Sequence, residues 1–95
     1  MCLRVEREAK VSAEARMLAR DRAELDRIDL ELAKLVQARG EVVRRIQDAR
    51  ADGGRDWPRE LEVLAAVSDV TGPYPRQCMR QLWSVLMFWA PETRT

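Results

Sequence analysis

Residues 18–50, LARDRAELDRIDLELAKLVQARGEVVRRIQDAR, decide the fold, because this stretch contains no proline and a single glycine, Gly40. Apolar residues recur in it at three- and four-residue intervals with charged residues between them, which is typical of an amphipathic helix. These residues are Leu18, Leu25, Ile28, Leu32, Leu35, Val36, Val42, Val43 and Ile46. The pattern predicts one long helix from about Ser12 to Ala51, capped by Ser12 and stopped by Gly53-Gly54.

Two shorter helices are predicted after the glycine pair. Asp56-Trp57-Pro58 has the features of a helix start, with Asp56 as N-cap, and that helix extends to about Val70. Residues 71–75, TGPYP, cannot continue a helix. A third helix is predicted from Pro75 to Trp89, apolar nearly all round and therefore expected to be buried on most faces. The fold class is all-α, with residues 12–95 as one helical domain and residues 1–11 as a frayed N-terminal segment.

The three predicted helices are unequal in length. The first has about 40 residues and the other two about 13 and 15, so the short helices cannot cover the long one. A chain of 95 residues is also near the size at which one core is marginal. We therefore predict that the long helix pairs with its copy in an intertwined homodimer. The alternative is a long helix that kinks at Gly40 and folds back within one chain.

Composition excludes several classes of function. The chain has no histidine, which removes imidazole bases and Cys/His zinc clusters, and we expect no metal and no cofactor. Its net charge of +1 gives no reason to expect nucleic acid as a partner. The longest apolar run, Val85 to Ala90, is too short to span a membrane. Cys2 and Cys78 form no spaced motif and are expected to be reduced thiols in a cytoplasmic protein.

Arginines on the long helix are the candidate binding residues. Arg39 and Arg50 are 11 residues apart and therefore lie about 20° from the same helix face. Asp56, Arg59 and Glu60 follow the predicted loop, where the second helix can bring its first turn beside Arg50. Several guanidinium groups around one site favour a ligand with more than one carboxylate or phosphate. The alternative is that these arginines form ordinary solvated surface ion pairs.

Arg22 lies 17 residues before Arg39, about 25 Å away along a helix axis. It is too far away to share a small ligand with Arg39 of the same chain. In an antiparallel dimer, Arg22 of the partner chain could reach the site.

The spacing of these residues resembles that of the AroQ-class chorismate mutases. In that family a long first helix holds an arginine, an Ile-Asp or Leu-Asp pair seven residues on, a second arginine, and a lysine or arginine eleven residues further. Here these elements appear as Arg22, Ile28-Asp29, Arg39 and Arg50. The family's Asp-x-x-Arg-Glu at the start of the second helix appears as residues 56–60. The resemblance covers about residues 18–90.

The resemblance implies an all-helical intertwined homodimer that rearranges chorismate, a small dicarboxylate, to prephenate. This pericyclic step needs no metal, covalent intermediate or obligatory base. Carried over, Arg39 and the partner's Arg22 bind the two substrate carboxylates, and Arg50 donates to the ether oxygen as charge develops there. Glu60 and the backbone of Asp56 accept from the ring hydroxyl. Arg59 reinforces the pocket, and Arg50, Glu60 and Arg39 are the catalytic group.

The third helix departs from the family pattern. When Leu82-Trp83 is aligned with the family's apolar pair, Ala90 stands where a serine usually binds a carboxylate. Arg94 stands where a glutamine or glutamate usually faces the ether oxygen, and a shifted register offers Glu92 instead. A chain without those contacts would be a weak mutase, a mutase completed by an activating partner protein, or an enzyme for another substrate.

Two alternative functions remain open from the sequence. One keeps the fold and changes the substrate, as a mutase of 4-amino-4-deoxychorismate in specialised metabolism or an isochorismate-pyruvate lyase. The other is a non-catalytic helical dimerisation or adaptor module, whose exposed Trp83 and Trp89 would form a partner-binding patch.

Overall fold

The computed structural model describes residues 2–50, 56–89 and 91, and the chain divides into two compact units, Met1–Ala38 and Arg39–Thr95. Three helices follow one another along the chain: α1 (Cys2–Ala49), α2 (Trp57–Ser68) and α3 (Arg76–Phe88). No strand occurs in the part of the chain that the structure describes. The prediction of an all-α chain with one long and two short helices is confirmed.

α1 begins at Cys2, ten residues before the predicted start, so the predicted N-cap at Ser12 is wrong. Nothing in residues 2–12 breaks a helix, because they contain no glycine or proline and include alanine, glutamate, lysine and arginine, which favour helices. α1 ends at Ala49, close to the predicted end, and Gly53-Gly54 lie outside the described residues. Gly40 lies inside α1, which contradicts the alternative in which the chain folds back at that residue.

Nearly all side chains of the first unit are exposed. Among its residues 5–38, Ala13 and Val36 are half-buried and all others are exposed. Nine large apolar residues in this described range are each at least 45% exposed. They are Val5, Val11, Met17, Leu18, Leu25, Ile28, Leu30, Leu32 and Leu35. In this unit the chain on its own forms an amphipathic helix and no core.

The second unit contains a helical hairpin whose ends are fixed by local hydrogen bonds. Asp56 caps α2 as predicted, because its Oδ1 accepts a hydrogen bond from the backbone N–H of Arg59 at 3.1 Å. α3 starts after Pro75, with φ −69°, whose carbonyl accepts from the N–H of Cys78 at 3.0 Å. An ion pair between Asp69 and Arg76 joins the end of α2 to the start of α3 across the TGPYP turn.

α2 packs against α3. The half-buried apolar residues at this contact recur at helical spacing on both helices. They are Val63, Leu64 and Val67 on α2, and Cys78, Met79, Trp83, Leu86 and Met87 on α3. The one buried residue among those described is Ser68, 4% exposed, whose hydroxyl donates to the carbonyl of Leu64 at 2.6 Å.

Two predictions about α3 are wrong for the single chain. No described residue of α3 is buried, although the sequence predicts burial on most faces. Trp83 is half-buried, where the adaptor alternative expects it to be exposed, whereas Trp89 is 71% exposed, as that alternative expects. None of the helices described is long and apolar enough to cross a membrane.

Candidate functional site

Half-buried positions on the last three turns of α1 recur every three or four residues and form one stripe. In the second unit they are Arg39, Gly40, Val43, Arg44, Gln47 and Arg50. Three of the six are arginines, an unusual content for a partly covered helix face, since arginine is rarely buried without a partner. The predicted placement of Arg39 and Arg50 on one side of the helix agrees with this stripe.

Arg50 lies at the end of α1, where its N–H donates to the carbonyl of Ile46 at 3.1 Å. Its guanidinium Nη1 is 3.7 Å from Oδ2 of Asp56. The two oxygens of Asp56 therefore have different neighbours, with Oδ1 capping α2 and Oδ2 facing Arg50. The predicted juxtaposition of Arg50 with the first turn of α2 is confirmed. Because the two side chains are 33% and 51% exposed, the ion pair itself contributes little stability.

Arg59 points to a neighbour on its own helix. Its Nη1 is 3.1 Å from Oε2 of Glu62, and both side chains are about two-thirds exposed. Sequence reasoning did not single out Glu62, although an acidic residue three positions after an arginine is the spacing at which helical side chains meet. Arg59 therefore forms a solvated surface ion pair, which is the alternative to ligand binding that the sequence left open for the arginines.

Glu60 is half-buried on the first turns of α2, and its N–H donates to the carbonyl of Asp56 at 3.0 Å. It borders a groove of about 240 Å³ between α2 and α3. The other lining residues are mainly apolar: Trp57, Leu61, Leu64, Ser84, Met87 and Phe88. Sequence reasoning missed this lining, and the signal for it was the spacing of Trp57, Leu61 and Leu64 along one face of α2.

Arg39 and Arg44 differ in their partners. Arg44 Nη1 contacts Oε1 of Glu41 at 3.1 Å, while its buried Nε has no hydrogen-bond partner among the described residues. Arg39 is half-buried, and its side chain makes no hydrogen bond or ion pair with any residue that the structure describes. A half-covered guanidinium with that many unused donors is a good anion-binding group.

The remaining predicted site residues lie elsewhere. Arg22 and Asp29 belong to the first unit and are exposed there. Ala90, Arg94 and Glu92 lie outside the described residues, so their predicted roles stay predictions. No group of three or more Cys, Asp and Glu side chains that could hold a metal ion occurs in the described ranges.

Comparison of the chain with protein-family models, with curated protein sequences and with solved structures gave no match.

Proposed function

We propose that this chain is a chorismate mutase that works as a two-fold homodimer. The observation that carries the proposal is the arginine stripe at the end of α1. Arg39 and Arg50 lie half-buried on one side of a continuous helix, and Arg50 meets the capping carboxylate of α2 one turn before Glu60. Such an arrangement suits a substrate that carries two carboxylates and develops negative charge between them.

The reaction proposed needs positioning and charge stabilisation and no proton transfer. Arg39, which has no partner among the described residues, binds one substrate carboxylate, and the partner's Arg22 binds the other. Held compactly by these two contacts, the enolpyruvyl side chain lies near the ring carbon to which it migrates. Arg50 donates to the ether oxygen as the C–O bond breaks, and stabilises the charge that develops there.

The first turn of α2 positions the guanidinium of Arg50 and contacts the ring of the substrate. Asp56 is fixed in place by its capping bond to the Arg59 N–H at 3.1 Å, and its second oxygen faces Arg50. A carboxylate held at this distance restricts the guanidinium to fewer rotamers, which is a form of preorganisation. Glu60, one turn on and half-buried, accepts a hydrogen bond from the ring hydroxyl. Arg59, paired with Glu62, contributes positive charge at the rim.

The homodimer is supported by the surface that the single chain leaves exposed. The accessible area is 8696 Å² for a chain of 11.0 kDa, whereas a folded monomer of that mass exposes about 5600 Å². The excess, roughly 3000 Å² per chain or about 6000 Å² for two chains, is at the upper end of what obligate dimers bury. Most large apolar side chains of α1 are among the exposed ones, so a second α1 is the natural cover. We expect the dimer in the cytoplasm, with no metal and no cofactor.

The test is an assay of the purified protein with chorismate, following the loss of its absorbance and identifying the product by chromatography. We expect prephenate from the wild type and from Arg45→Ala, since Arg45 is exposed on α1. We expect turnover to be lost in Arg39→Ala at protein concentrations where the dimer still forms, with helix content unchanged. Turnover of isochorismate or of 4-amino-4-deoxychorismate in place of chorismate would overturn the assignment of substrate. No turnover of any of the three would overturn the enzyme itself.

A further inference from the structure

The exposed apolar residues of α1 follow a seven-residue repeat, which is the pattern of a helix that packs along a second helix. The repeat consists of two series of positions. The first series is Val11, Leu18, Leu25, Leu32, Arg39 and Ile46, and the second is Glu14, Asp21, Ile28, Leu35, Val42 and Ala49. The eight large apolar residues in the two series are between 44% and 66% exposed. We refer to the twelve positions together as the seam.

Three charged residues interrupt the seam: Arg39 in the first series, and Glu14 and Asp21 in the second. A charge inside a helix–helix seam is costly unless an opposite charge faces it, so charged positions decide how two chains align. A parallel pair in register would set Arg39 against Arg39 and Asp21 against Asp21, which is repulsive at both levels. An antiparallel pair can set unlike charges against each other.

One antiparallel register keeps apolar residues opposite apolar residues in the middle of the seam, and it leaves one unmatched charge, Glu14 opposite the partner's Ile46, near the two ends. With Leu25 opposite the partner's Leu35, apolar residues of one series face apolar residues of the other. The same alignment sets Leu18 opposite the partner's Val42 and Ile28 opposite the partner's Leu32, and it brings Arg39 opposite the partner's Asp21. Moving one chain by a single heptad, in one direction or the other, sets Leu32 against Asp21 or Ile28 against Arg39. Each of these buries a charge against an apolar side chain in the middle of the seam, where water reaches it least, although the first also sets Arg39 opposite the partner's Glu14.

We propose that Arg39 pairs with the partner's Asp21 across an antiparallel α1–α1 seam, and that this pair fixes the register of the dimer. The inference rests on the proposed homodimer and adds Asp21 as a positioning residue of its site. Because Arg22 follows Asp21 directly, the register that pairs Asp21 with Arg39 also delivers the partner's Arg22 to the level of Arg39. A guanidinium has five N–H donors, enough for the partner's Asp21 and a substrate carboxylate together.

Cysteine cross-linking tests the register directly. In a background with Cys2→Ser and Cys78→Ser, chains with Leu25→Cys and chains with Leu35→Cys are mixed, refolded together and oxidised. We expect a disulfide-linked heterodimer from this mixture. Leu25→Cys mixed with Val42→Cys or with Ile28→Cys reports the two shifted registers, and Leu25→Cys alone reports a parallel pair. Residues one heptad away from the correct partner are about 10 Å out of reach along the axis, too far for a disulfide.

A charge exchange tests the role of Asp21. Asp21→Arg faces Arg39 with a like charge, and we expect the dimer dissociation constant to rise at least about tenfold. The double variant Asp21→Arg with Arg39→Asp restores opposite charges, so dimerisation returns while turnover stays lost. Asp26→Arg, an exposed position off the seam, is the matched control and leaves the dimer intact. Dissociation unchanged by Asp21→Arg, or not rescued by the double variant, would overturn the pairing.

The outcomes separate this inference from the proposed function. A cross-link between positions 25 and 35 without turnover of chorismate would leave the register standing and overturn the reaction. Turnover with a cross-link only between positions 25 and 42, or 25 and 28, would leave the reaction standing and overturn the register. A monomer at all concentrations would overturn the seam itself.

Discussion

α1 and the α2–α3 hairpin reach their folded form in different ways. The ends of the two hairpin helices are fixed by residues close to them in sequence. Asp56 caps α2, the TGPYP turn separates α2 from α3, and Asp69 pairs with Arg76 across the turn. α2 packs against α3 around the buried hydroxyl of Ser68. α1 has the longer and more regular apolar pattern, yet most of its large apolar residues are exposed in the single chain.

The difference shows that a strong amphipathic pattern specifies a helix and a face but not what covers the face. Each short helix of the hairpin packs against the other, which lies only a few residues away along the chain. A helix of 48 residues has no partner of matching length among the described helices, and we propose that a second chain covers its face.

Leu32→Glu should have the largest effect, because it places an unpaired charge in the seam twice per dimer. We expect a loss of about 3 kcal/mol or more of dimer stability, with dissociation and loss of helix content. Sedimentation and circular dichroism across a concentration series measure both. Leu30→Glu is the matched control, since Leu30 is 58% exposed but lies on the opposite side of α1. Equal effects of the two substitutions would show that the seam is not an interface.

Arg50→Ala, at the junction of α1 with the α2–α3 hairpin, should lower the catalytic rate without much change in stability. We expect kcat to fall about 10²- to 10³-fold, because a donor to the developing charge is lost. The free energy of unfolding should change by less than about 1 kcal/mol, because the pair with Asp56 is half-exposed at 3.7 Å. Steady-state kinetics and denaturant unfolding give the two numbers. Unchanged kcat, measured beside Arg45→Ala, would remove Arg50 from the site.

Asp56→Ala should lower the free energy of unfolding by about 1 kcal/mol, because the N–H of Arg59 loses its acceptor at the start of α2. Asp56→Ser keeps an oxygen that can cap the helix and should retain most of that stability. Both variants lose the contact with Arg50, so the difference between their thermal unfolding curves isolates the cap. If the serine variant is as unstable as the alanine variant, the contact with Arg50 matters more than the cap.

Gly40→Ala should have the smallest effect and should be stabilising. An added Cβ at Gly40 meets no atom within 4 Å, and alanine is favoured over glycine inside a helix by up to about 1 kcal/mol. Gly40 also lies beside the seam and not in it, so the dimer should tolerate the methyl group. Thermal unfolding checks the sign. A destabilised variant would mean that another chain approaches α1 closely at Gly40.

The limits of sequence reasoning differ along the chain for physical reasons. The bounds of α2 and α3 were predicted within two residues, because Asp56, Pro58 and the TGPYP segment are strong local signals. The start of α1 was missed by ten residues, because no breaker precedes Ser12 and a serine can lie within a helix as well as cap one. Local signals mark helix ends reliably only where the residues forbid a helix.

The candidate site was predicted in part. The approach of Arg50 to Asp56 was expected because a short loop joins the two helices that carry them, and the structure confirms it. The ion pair of Arg59 was one of its two interpretations, but its partner, Glu62, was not foreseen. That choice depends on which of several similar neighbours a side chain meets, and periodicity alone does not decide it. The burial of α3 was overestimated, because its composition indicates a covered helix without saying which chain covers it.

Subunit mixing tests the central claim, that two chains share each active site, most directly. Arg22→Ala and Arg39→Ala dimers should each be inactive, because every site in them lacks one arginine. After the two proteins are unfolded together and refolded, half of the dimers are mixed, and each mixed dimer has one intact site. Activity should therefore return to about a quarter of the wild-type value, given random two-fold pairing. A mixture that stays inactive while its chains form mixed dimers, or an Arg22→Ala protein as active as wild type, would contradict the account.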